Sequence, residues 1–131
     1  MTRAPAVLRV AVTSQLRARR FYERVLRLRP APNSPAGHLR FWVGNRLIEL
    51  HARSRQGGSV QHAVGKSTHV ALRVADFCYE YQRMTSAGGS FVGQVQQVRG
   101  VWRARVSDPD GNIYTVLEVR TPAASAQQSR S

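Results

Sequence analysis

Between Val101 and Val119 the chain reads V-W-R-A-R-V-S-D-P-D-G-N-I-Y-T-V-L-E-V, two β-rich runs divided by a turn whose chemistry is explicit. Asp108 offers a carboxylate acceptor, Pro109 arrives with φ preset, and Gly111 is free to take positive φ. Ile113 to Val119 then alternates β-branched and aromatic residues in the period of a half-buried strand. Taken alone this is an ordinary β-hairpin, the commonest product of such a turn. What precedes it restricts the fold further. His69 to Ala75 predicts a strand, Asp76 caps a helix running to about Ala87, and Gly88-Gly89 stops that helix. Ser90 to Val98 and Gly100 to Ser107 supply two more strands, so the unit is β-α-β-β-β.

The first half follows the same plan. Met1 to Pro5 reads as a loose start. Val7 to Thr13 alternates as a strand, with Leu8, Val10 and Val12 on one face. Ser14 is the N-cap of a helix through about Leu26, with Leu16, Phe21, Val25 and Leu28 at near-helical spacing. Arg29 to Gly37 carries three prolines and is expected to be loop throughout. His38 to Val43 and Arg46 to Ala52 form a hairpin about Gly44-Asn45. Laid by hand over the second half, Val7 to Ser14 falls on His69 to Asp76. Residues 6–52 and 68–119 are therefore two βαβββ modules of one 131-residue domain, joined by a Gly-, Ser- and Gln-rich linker over 53–67. Residues 120–131 hold nothing to bury and are expected to be a disordered tail.

His69 opening the second unit, D-P-D-G-N before its last strand and F-Y-E-R-V-L in the first helix together resemble the vicinal oxygen chelate superfamily. That group includes glyoxalase I, bleomycin-resistance proteins, fosfomycin-resistance enzymes and extradiol dioxygenases. The resemblance spans residues 6–119 and departs from the family pattern at Arg27, where a helix-terminating glycine is usual. It implies an α+β fold: two curled, mixed four-stranded sheets around a central cavity, with the helices outside. It also implies a homodimer, and the linker would allow modules to be exchanged between subunits.

In metal-using members a divalent ion is held at the start of each module's first strand and on its last strand. Carried over residue by residue, those positions are Val7, Glu49, His69 and Thr115. Valine has no lone pair and a threonine hydroxyl is a poor ligand, so half of the set is missing. His51, two residues beyond Glu49 on the same strand face, is the one available replacement, giving a Glu49–His51–His69 site. A lone strand histidine is more often hydrogen-bonded or exposed than ligating. The same parity places Leu47, Ala71, Val7, Ala11, Leu117 and the pair Arg9 and Arg73 on the cavity side. Leu8, Val10, Val12, Ile48, Leu50, Val70, Leu72, Val74, Tyr114 and Val116 then pack beneath the helices. Arg9 and Arg73 would make the cavity receptive to an anionic or aromatic molecule, unless both reach the rim and are solvated. Trp102 and Trp42 either stack on a planar ligand or fill the core.

Composition bounds the function. A formal charge of +13 attracts anions, but the excess is scattered arginine with Lys66 the only lysine, and no nucleic-acid-binding motif is present. No specific nucleic-acid partner is expected. No apolar run suits a membrane and no signal peptide is evident, so the expected setting is the cytoplasm. Cys78 alone excludes an intramolecular disulfide and a cysteine-based zinc site. Two functions remain. One is a small-molecule-binding protein with no cofactor, its ligand held by Arg9, Arg73, His51, Thr115, Leu117 and Trp102. The basic charge argues against a cationic drug as that ligand. The other is a metal-dependent enzyme (a glyoxalase-like lyase, an isomerase or a ring-cleaving dioxygenase) in which Glu49 is ligand or general base, with His69 and His51 beside it.

Overall fold

The computed structural model describes residues 5–52 and 67–119. The expected loose start (apart from Pro5), most of the linker and the expected tail lie outside the described residues. Strand β1 (Val7–Val12) leads through Ser14, whose hydroxyl accepts from the Arg17 N–H at 3.2 Å, into helix α1 (Gln15–Arg20). The expected helix does continue, but Phe21–Val25 winds as a π-helix, with the Leu26 N–H donating to the Phe21 carbonyl at 3.1 Å. The wider turn aims Phe21, Tyr22 and Val25 together into the core. Arg27 then takes φ of +54°, the conformation for which glycine is the usual choice, and Leu28 N–H reaches back to the Tyr22 carbonyl.

Strands β2 (Arg29–Ala31), β3 (Leu39–Val43) and β4 (Arg46–Ala52) complete the first sheet in the order β1-β4-β3-β2, with β1 parallel to β4 and the other pairs antiparallel. Strand β2 corrects the expectation of an unbroken loop over 29–37. Pro30 is tolerated because β2 is an edge strand, where a missing N–H faces no neighbour.

The second sheet repeats this arrangement with β5 (Ser67–Val74), β6 (Ser90–Val98), β7 (Val101–Ser107) and β8 (Ile113–Glu118), in the order β5-β8-β7-β6. Helix α2 (Phe77–Ser86) is capped by Asp76, whose carboxylate accepts from the Tyr79 N–H at 3.0 Å. Two irregularities distinguish this sheet. Register slips by two residues in β5 between Ser67 and Ala71, where His69 adopts φ of +59°, and again in β6 around Gly93. The architecture is α+β: two mixed four-stranded sheets, each built from consecutive strands, with two helices.

One hydrophobic core joins the halves. Val10, Val12, Ile48 and Leu50 from the first sheet and Val70, Leu72, Tyr114 and Val116 from the second are all buried, together with Tyr22, Val25, Phe77 and Met84 of the helices. Strand parity therefore sorts the side chains as the sequence implies: one face of each sheet joins the core, and the opposite face carries the polar residues.

Candidate functional site

On the polar face of the first sheet, cross-strand register aligns Arg9, Glu49 and Arg40 in one row. Glu49 is central and buried. Its Oε2 accepts from Arg40 Nε at 2.7 Å, and its Oε1 pairs with His51 Nε2 at 2.5 Å. Because an ionised carboxylate only accepts, His51 presents Nε2 as a donor. Arg9 stands farther off, Nε to Oε1 3.8 Å, with its side chain 77% exposed. The His51 ring lies against His38, centroids 4.0 Å apart. The Arg40 hydrogen bond, supported by that from His51, outweighs burial and holds the Glu49 carboxyl below its ordinary value. Glu49 is thus an ionised, doubly engaged acceptor, and a carboxyl held low is a weak proton acceptor near neutral pH.

The row beside it contains Val7, Leu47, Trp42 and Arg29 in register, with the Arg29 guanidinium 5.8 Å from the Trp42 ring centroid. This apolar and cationic strip adjoins the carboxylate group.

On the second sheet, Thr115 pairs with Ala71 on one side and Arg105 on the other, and Leu117 is flanked by Arg73 and Arg103. Thr115, with Arg103, Arg105, Gln94 and Gln96, lines an open cavity of about 360 Å³. Arg73 lines a different one, a cleft of about 410 Å³ shared with Trp42 and Arg29 of the first sheet. Trp102 is on the opposite face of β7 from Arg103 and Arg105. It lies parallel to Phe77 at 6.2 Å and borders a separate apolar pocket with Cys78 and Tyr81. Trp102 therefore faces away from Thr115 and Leu117.

Glu49, His51 and Arg9 are brought together, then, while Thr115, Leu117 and Arg73 belong to the other sheet. His69 is also on that sheet, exposed within the β5 irregularity, where its N–H donates to the Ser67 hydroxyl at 3.1 Å. Among the described residues no three His, Cys, Asp or Glu side chains stand close enough to hold a metal ion.

Sequence reasoning missed Arg40, Arg103 and Arg105. All three were recoverable from register. A tight turn at Gly44-Asn45 pairs Val43 with Arg46, which sets Arg40 opposite Glu49, and the turn after Ser107 sets Arg105 opposite Thr115 by the same count.

A family model described as Glyoxalase/Bleomycin resistance protein/Dioxygenase superfamily matches residues 5–115. No curated protein is a significant sequence match. Among solved structures, a member of that superfamily from Sphaerobacter thermophilus superposes with a TM-score of 0.72 at 20% identity, covering 90% of this chain and 98% of the other. TnmS3, an antibiotic-binding protein from a Streptomyces species, gives 0.70 at 18% identity over 91% and 98% of the two chains. A lactoylglutathione lyase from Agrobacterium tumefaciens gives 0.64 at 20% identity over 88% and 92%. These likenesses establish the shared fold.

Proposed function

The chain belongs to the glyoxalase/bleomycin resistance protein/dioxygenase superfamily, and on that premise we propose that it is a binding protein for a small anionic or aromatic molecule, working without a tightly held metal ion. The observation that carries this reading is the state of Glu49. Both of its oxygens are engaged by cationic or donor side chains, Arg40 on one and His51 on the other. A divalent ion would have to share those oxygens with a guanidinium and an imidazole or displace them, and the remaining family positions offer it a valine, a threonine and a histidine on another sheet. An incomplete donor set binds a metal weakly.

In this reading Arg9, His51, Thr115, Leu117 and Arg73 contact the ligand from the polar faces of the two sheets. The protein acts as a homodimer in the cytoplasm, with the open faces covered by the second copy. The antibiotic-binding TnmS3 is an example of the same scaffold serving to bind. Among the described residues no helix is long and apolar enough to cross a membrane.

A second reading, metal-dependent catalysis, is favoured by the burial of Glu49 beside His51, and the lyase neighbour shares the scaffold. A thermal-shift screen of anionic and neutral aromatic compounds, run with and without chelator, separates the two. Stabilisation by a compound that persists in chelator supports the binding protein. Stabilisation that requires added metal supports the enzyme.

A further inference from the structure

We propose that the polar face of the second sheet is a binding site for the phosphate group of a small organic molecule. The proposal rests on the small-molecule reading above and deepens it, assigning the anionic end of the ligand to Arg103 and Arg105, which stand beside the family position Thr115 and are not themselves among those positions.

The chain has seven Asp and Glu residues, and every one is accounted for elsewhere. Glu23, Glu49 and Glu80 are ion-paired with Arg19, Arg40 and Arg83. Asp76 caps α2, while Asp108 and Asp110 accept hydrogen bonds in and around the 108–112 turn. Glu118 has the opposite strand parity from Thr115 and Leu117, in register with Val74.

Against that background Arg103 and Arg105, two apart on β7, project from the same face as Thr115. Arg73, on the far side of Leu117, lines the separate cleft shared with the first sheet and lies outside this site. Arg103 is oriented by a 3.0 Å hydrogen bond from Nε to Gln96 Oε1. Among the described residues Arg73 and Arg105 make no ion pair. Gln94, within the two-residue slip of β6, lines the same cavity as Gln96, so the wall presents guanidinium, amide and hydroxyl groups and no carboxylate. Like charges converging on a concave face repel one another unless an anion joins them. A phosphate dianion suits this wall better than a carboxylate does. Its oxygens can accept from two guanidinium forks and from the Thr115 hydroxyl together, and its two negative charges match the two positive ones of Arg103 and Arg105. A cavity of about 360 Å³ leaves space for an organic remainder.

The test is calorimetric titration of the full chain with inorganic phosphate, with acetate as the monoanion control, at fixed ionic strength. Saturable phosphate binding is expected, with acetate at least about tenfold weaker. Arg105→Gln and Arg103→Gln should each weaken phosphate by about tenfold or more, with Arg105→Lys falling between them and the native chain. Arg20→Gln, which removes one exposed helix charge elsewhere, should leave it unchanged. Far-ultraviolet circular dichroism confirms that each variant folds, and the conservative Arg105→Lys keeps the test decisive if Arg105→Gln does not.

Equal losses from Arg20→Gln and Arg105→Gln would reduce the effect to surface charge and overturn the proposal. So would phosphate and acetate binding alike, or a single-stranded oligonucleotide binding more tightly than phosphate through Arg105. If Arg9→Gln abolished phosphate binding while Arg105→Gln did not, this assignment would fall and the small-molecule reading would stand. If no compound in the thermal-shift screen bound either, both would fall.

Discussion

The Tyr22 hydroxyl donates to Asp108 Oδ2 at 2.8 Å, joining the first helix to the last turn across 86 positions of sequence. Tyr114 donates in turn to the Tyr22 oxygen at 2.6 Å. Asp108 also accepts from Asn112 Nδ2 and, through Oδ1, from the backbone N–H groups of Asp110 and Asn112. Asn112 Nδ2 further reaches the Ala11 carbonyl at 3.0 Å, and Asp110 accepts from Thr13. The D-P-D-G-N turn is therefore more than a hairpin connection: its side chains fasten the second module to the first.

Removing either end of that bond leaves a buried polar group without its partner. Tyr22→Phe and Asp108→Asn should each lower stability by about 1–3 kcal/mol in chemical denaturation. In Asp108→Asn the new amide would also face donors that the carboxylate now accepts from. Unchanged denaturation midpoints for both variants would mean that the modules are held by apolar packing alone.

The two buried carboxylates should titrate with opposite signs. Glu49 is held below its ordinary value, chiefly by the Arg40 hydrogen bond. Its ion group therefore stabilises the fold above the unfolded value near 4.5, and that contribution is lost as pH falls through the lowered value. Burial pushes Asp108 up despite its hydrogen bonds. Keeping it ionised thus opposes folding above its raised value, and that opposition is relieved as pH falls through it. Thermal melts of the native chain and Glu49→Gln, compared from about pH 5 downward, should show a Tm gap that closes as pH falls below 4.5. A gap that widens below pH 4.5 would contradict the assignment.

Arg27 pays the steric penalty of a left-handed conformation for an L side chain. Arg27→Gly should stabilise the protein by about 1 kcal/mol, read as a rise in Tm. A fall in Tm would mean that the arginine side chain makes contacts worth more than the strain.

Gly89 is constrained by its surroundings. A Cβ there would lie 2.9 Å from both the Met84 carbonyl oxygen and Val25 Cγ1. Gly89→Ala should destabilise by about 1–3 kcal/mol through overpacking where α2 meets the first helix. A neutral result would show that this contact yields freely.

Much of the fold was legible because its signals are local and repeated. Period-two alternation gave the faces of β1, β4, β5 and β8, and Ser14 and Asp76 marked both helix starts. What was hidden depends on tertiary context. The short edge strand β2 contains a proline that reads as loop until β3 lies beside it. The π-helical turn at Phe21–Val25 has the same apolar spacing as an α-helix and is distinguished by its backbone hydrogen bonding, Leu26 N–H to the Phe21 carbonyl. For the site, parity placed Glu49 and His51 together, whereas His69 lies in a register slip that strict alternation does not anticipate. Arg40 coincides with none of the family's metal positions, although hairpin register sets it directly opposite Glu49.

On the binding-protein reading, Arg40 and His51 engage Glu49 in the place of a metal ion. Elemental analysis of protein purified without chelator, in parallel with Arg40→Ala, tests it most directly. Well under one equivalent of zinc, nickel, manganese or iron is expected in the native protein. One equivalent of such an ion, lost in Glu49→Gln, would contradict it.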